Sequence, residues 1–107
     1  MTTSEPGPED VELYVSPWVS GTRAAAYFGP VSVSVFLPDG EVVDRATEWA
    51  QAFETDLLEA LKKKAWLMGA NSVIAVEVNL DPFAEEDGKV GLKVWAIGTA
   101  AKLESLF

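Results

Sequence analysis

The 107-residue chain has no cysteine and no histidine. The first absence removes disulfides, thiolate nucleophiles and thiolate metal ligands; the second removes the commonest general base and the commonest zinc ligand. Basic residues are scarce, eight against seventeen acidic, and the formal charge of -9 repels both the phosphate backbone of nucleic acid and anionic membrane surfaces. No stretch reaches the roughly 18 uninterrupted apolar residues of a membrane span. The N-terminal MTTSEPGPEDVE lacks the basic residues and the apolar block of a secretory signal. These absences predict a cytoplasmic protein without nucleic-acid or membrane partners, and few familiar catalytic sites survive them.

What the chain does have is material for one core. It is 49% hydrophobic and 23% charged, with ordinary Gly and Pro, which fits one globular domain and leaves no room for a second. Residues 1–12 combine Thr, Ser, Pro, Gly and four acids with little to bury, so a disordered acidic tail is expected there and a single α+β domain over residues 13–107. From Leu13 to the turn signal Pro38-Asp39-Gly40 the chain is rich in β-branched and aromatic residues and reads as an interrupted strand. Val31, Val33, Val35 and Leu37 alternate with Ser32 and Ser34, while Gly29-Pro30 predicts a bulge or a sheet edge, because proline cannot donate to a central ladder.

The period then changes. Between Asp44 and Met68, Ala46, Trp49, Ala50, Phe53, Leu57, Leu61, Ala65 and Met68 recur at three and four, which predicts one long amphipathic helix. Asp44 is placed to cap its start, the Lys62-Lys63-Lys64 run sits where the helix dipole favours cations, and Gly69 follows its end. Ile74, Val76, Val78 and Leu80 alternate as a second strand ending at Asp81-Pro82, and Val90, Leu92, Val94 and Ala96 alternate as a third. The order β-α-β-β predicts a two-layer subunit: an antiparallel three-stranded sheet, ordered 1-3-2, with the helix across one face.

Four segments, SPWVSG at residues 16–21, YFGPV at 27–31, MGANSVIAVEV at 68–78 and GTA at 98–100, resemble the YbjQ-like family of small bacterial proteins, which carry a heavy-metal-binding label without an established function. With the helix, the resemblance spans roughly residues 14–104; Ser32 stands where family members usually have a further glycine. The resemblance implies a dodecin-like β-α-β-β subunit that assembles into a ring, typically a pentamer. The metal label finds no soft donor in a chain without Cys or His.

Candidate sites each have a bland rival. Gly69-Ala70-Asn71-Ser72 could hold an anion on its amides, but it follows a helix C-terminus, where the dipole repels anions, and reads better as a C-cap with Asn71 bonded to its own turn. Asp81, Glu85, Glu86 and Asp87 could gather a hard cation, yet their spacing is not that of an EF-hand and a solvated turn is the simpler reading. Glu77 could be a buried acid, or pair with Lys93. The tryptophans are more telling. One helix cannot cover two sheet faces, so Val73, Ala75, Trp95 and Ile97 are expected to form an apolar patch on the helix-free face that a second copy covers.

The expectation is therefore a non-enzymatic homo-oligomer acting by assembly or by binding at its interfaces. No residue is assigned a catalytic, cofactor or metal role. The alternative is an oligomer that binds a small molecule or metal ion, with Trp66 or Trp95 stacking a planar ligand; an enzyme built on paired carboxylates is a third reading.

Overall fold

The computed structural model describes the backbone of residues 5–37, 46–84, 88 and 90–107, and the side-chain surroundings of all of these except 37, 46–54, 83–84, 90 and 92. A 3-10 turn at Pro8–Asp10 leads into strand β1 (Glu12–Leu13); β2 (Thr22–Leu37), helix α1 (Ala46–Leu67), β3 (Ser72–Ala84) and β4 (Val90–Ser105) follow. The sheet order is β1-β3-β4-β2, and α1 lies across one face.

The antiparallel trio β3-β4-β2 is the expected 1-3-2 arrangement, but the sheet is four-stranded and mixed, because β1 adds to β3 in parallel. Amides of Glu12 and Tyr14 donate to the carbonyls of Asn71 and Val73, and those of Ala75 and Val76 donate back to Ser16 and Tyr14. The expected tail is corrected with it. Val11 is 2% exposed and belongs to the main core with Leu61, Ala65, Val73 and Ala100, so the folded part begins near Pro8 rather than at residue 13. A single well-placed valine and a strand edge needing partners outweigh a polar, acidic composition. Trp66, off the apolar stripe of the helix, is half-buried against this same cluster.

The expected interrupted strand divides into two strands on opposite sheet edges. Between them, Pro17, Trp18 and Val19 run across the helix-free face, lining a small cavity with Tyr27, Ile74 and Leu103. This crossing buries Ile74 to 6% exposure, so part of the second sheet face is covered from within the chain. Gly29-Pro30 lies where expected, in an edge strand and next to a register shift between Tyr27 and Gly29. β3 runs on through Asp81-Pro82 instead of ending there; it is an edge strand beyond the short β1, where a missing N–H costs no ladder bond.

The 22 residues of α1 give a helix of about 33 Å. β2 and β4, 16 residues each, reach about 53 Å, so the strands outrun the helix. Leu57, Leu61 and Ala65 are buried on α1 as the three-and-four period requires. Asp44, the Pro38-Asp39-Gly40 turn and the side chains of Ala46, Trp49, Ala50 and Phe53 lie outside the described residues.

Candidate functional site

The joint after α1 is a helix stop and nothing more elaborate. Gly69 has φ +93, the Gly69 amide donates to the Trp66 carbonyl and the Ala70 amide to the Ala65 carbonyl, which is the Schellman pattern, and Ala70 and Ala65 meet in the core. Asn71 departs from expectation. Its side chain does not close its own turn but extends the sheet: Nδ2 donates to the Leu103 carbonyl at 2.9 Å, and Oδ1 accepts from the Leu103 amide at 2.8 Å. Ser72 Oγ adds a third bond to Oδ1 at 3.0 Å. The amides of Gly69, Ala70 and Asn71 and the Asn71 side chain are thus committed to α1 and β4 rather than aimed at an anion.

A bulge decides which residues of β3 face where. Ile74 pairs with Thr99 and Glu77 with Ile97, so Ala75 and Val76 together stand opposite Gly98. Ala75 takes φ 55, the left-handed region. The consequence is a phase change: Val73 and Val76 both reach the helix side, and Ile74 goes to the other. The expected interface quartet is thereby corrected. Val73 is 0% exposed in the helix-side core, Ala75 sits in the bulge, and only Trp95 and Ile97 lie half-buried on the helix-free face.

Trp95 is held in a local cluster. Its Nε1 donates to Asp81 Oδ2 at 2.8 Å, and Lys93 Nζ stands 5.8 Å from its ring centroid and 5.7 Å from that of Phe36. The expected Glu77–Lys93 pair is not formed: Lys93 is in register with Asp81, four residues from Glu77, or about 13 Å along the strand. Glu77 is exposed rather than buried. Asp81 is exposed on β3, whereas Glu85, Glu86 and Asp87 lie outside the described residues, and with them the candidate hard-cation turn. Among the described residues no three His, Cys, Asp or Glu side chains converge.

The conspicuous apolar surface is elsewhere, at two places on the helix side of the sheet. Along the β1/β3 edge, Leu13, Tyr14, Val15, Leu58, Val76 and Val78 line an open groove of about 380 Å³, where Val15 is 83% exposed and Val78 38%. Along the β2 edge, Pro30, Val31, Leu67 and Met68 line a second open pocket, of about 400 Å³, flanked by Lys64, with Leu67 76% exposed. Sequence patterning missed both. A leucine at position 67, on the polar side of the helix, was the available signal. Lys64 Nζ also donates to the Ser32 carbonyl at 2.9 Å, covering part of the β2 edge, a common protection against uncontrolled strand pairing.

The described architecture defines a two-layer α+β protein. It is similar to a solved structure from Pediococcus pentosaceus, a protein of unknown function in the DUF74 family, with a TM-score of 0.67 and 19% identity over 88% of this chain and 98% of that one. At that identity the likeness shows the fold alone. No family model matches the chain, and no curated protein does. Among the described residues no helix is long and apolar enough to cross a membrane.

Proposed function

We propose that this protein is a non-enzymatic, cytoplasmic homo-oligomer, a YbjQ-like ring of five subunits whose role is exercised through assembly and through what its subunit interfaces hold. The observation that carries this reading is the pair of apolar surfaces at opposite sheet edges, each with an aliphatic side chain, Val15 or Leu67, more than three-quarters exposed. Side chains of this size in contiguous apolar settings mark contact surfaces on small proteins. Burying each stabilises association by about 1.5–3 kcal/mol. Two different surfaces per subunit, one at each edge, suit a closed ring better than a two-fold dimer.

Native mass spectrometry of untreated protein tests the reading. A species near 57 kDa, five times 11.5 kDa, is the expected result, and a monomer near 11.5 kDa would overturn it. The same spectrum addresses the alternative, in which Trp95 stacks a planar ligand. Lys93 already occupies space over that ring, so extra mass on the oligomer is the result that would favour a bound molecule.

A further inference from the structure

We propose that residues 11–16 are a latch on the β3 edge, opening as a unit while the rest of the domain stays folded, with the left-handed Ala75 as the strained catch on which it closes. The latch lies within one subunit and needs no second copy. In a regular strand, successive amides point to opposite neighbours. At Ala75, φ 55 breaks that alternation: the Ala75 and Val76 amides both turn away from β4, the first donating to the Ser16 carbonyl at 2.9 Å and the second to the Tyr14 carbonyl at 3.0 Å. In return, the amides of Glu12 and Tyr14 donate to the carbonyls of Asn71 and Val73 at 3.1 and 2.8 Å.

These four bonds and one fully buried side chain, Val11, carry the attachment. Leu13 and Tyr14 are only half-buried, Glu12, Val15 and Ser16 are exposed, and the 3-10 turn that precedes them buries no residue. Segments with so few buried contacts open locally, well below the free energy of global unfolding. Docking and strain oppose each other here. Closed, the latch gives both amides an acceptor; open, it leaves them to water, and β3, still paired with β4, is free to return Ala75 to the extended geometry that L-residues prefer. Opening also takes Leu13, Tyr14 and Val15 from the wall of the edge groove, and leaves Leu58 and Val76 continuous with the site that Val11 vacates. The latch therefore sets how deep that groove runs.

Native-state hydrogen exchange tests this at the Glu12 and Tyr14 amides, whose intrinsic rates a change at position 75 does not touch. In wild type the two are expected to exchange together, roughly tenfold or more faster than the amides of Ala96 and Ala100 in the core of β4. Ala75→Gly relieves strain present only in the closed form, because β3 stays ordered in both, and should slow Glu12 and Tyr14 roughly fivefold. Ala96 and Ala100 should keep their rates, since the greater freedom of glycine in the unfolded chain offsets the relief there. Unchanged exchange at Glu12 and Tyr14 in the glycine variant would overturn the coupling to Ala75. Exchange of these two at the β4 rate in wild type would overturn the latch itself. V11C places the single thiol of a chain without cysteine at the buried anchor, for a second readout. Its labelling by a maleimide is expected to outpace global unfolding and to slow by the same factor when Ala75→Gly is added; labelling no faster than global unfolding would overturn the proposal.

Discussion

Val73 and Gly98 share one site in the helix-side core: a Cβ built on Gly98 would stand 2.5 Å from Val73 Cγ1, 3.0 Å from the Ile74 carbonyl oxygen and 3.3 Å from Val76 Cγ2. The glycine is required because the β3 bulge turns two consecutive inward valines, Val73 and Val76, toward the one β4 position between Ala96 and Ala100. The neighbours include backbone, so rotamer changes alone cannot make room. Gly98→Ala is expected to lose about 1–3 kcal/mol, lowering Tm by roughly 4–8 °C for each kcal/mol in a domain of this size. Adding Val73→Ala should recover part of the loss, giving a double variant less destabilised than the sum of the two. Thermal unfolding of the three variants checks this, and simple additivity would mean that the two side chains do not compete for the site.

Ala75 supplies the other half of the same device. A non-glycine residue at φ 55 carries of order 1 kcal/mol of strain, and a β-branched one would carry more. Ala75→Val is therefore expected to cost about 1–2 kcal/mol, although valine is the better strand former on an ordinary ladder. Ala75→Gly should be no less stable than wild type, since relief of strain offsets the greater freedom of the unfolded chain. Urea unfolding curves separate the two; a stabilising valine would show that the bulge is not held as described.

Asn71 completes the β3·β4 ladder with a side-chain amide in place of a peptide. Its donor and its acceptor both meet the backbone of Leu103, a double contact that only an amide can make at that length. Asn71→Ala should cost about 1–3 kcal/mol. Asn71→Asp should be at least as damaging at neutral pH, since a carboxylate can still accept from the Leu103 amide but faces the Leu103 carbonyl with no proton to give. Hydrogen exchange at the Leu103 amide, faster in both variants, gives a local readout alongside global stability.

The sequence legibly encodes the elements and less so their phase. Leu57, Leu61 and Ala65 at helical spacing, Gly69 at the helix end and the alternation from Val31 to Val35 each report a local rule, and each stands where that rule places it. The order β2-β4-β3 follows from connection lengths alone. Three features escaped for a common reason, that nonlocal partners decide them. Val11 is buried because β3 has an open edge for the following residues to join. Ser16 to Gly21 reads as an interruption within one strand, and only the far edge of the sheet reveals it as a crossing that covers Ile74. Strict alternation assigned Ile74 to the helix side and Val73 to the other, whereas one left-handed residue at 75 exchanged them. That exchange is also why Val73 leaves the expected interface patch for the core and why the proposed contact surface is placed at the sheet edges.

The helix-free face and the sheet edges can be told apart by one pair of substitutions. Ile97 is half-buried between Ser32 and Glu77 on neighbouring strands, and a lysine there gains an acidic cross-strand partner, so Ile97→Lys should change stability by less than about 1 kcal/mol. If assembly runs through the edges, its native mass is that of wild type. Leu67→Glu leaves the core equally untouched, because Leu67 is 76% exposed, yet it puts a carboxylate on one of the two apolar edge surfaces that the proposed ring would bury. Burying an unpaired charge in such a contact costs several kcal/mol, enough to lower affinity by a hundredfold or more, roughly 1.4 kcal/mol per factor of ten. The expected result is a folded Leu67→Glu protein of monomer mass beside an Ile97→Lys protein of full mass. The reverse pattern, dissociation by Ile97→Lys alone, would return the interface to the face that carries Trp95.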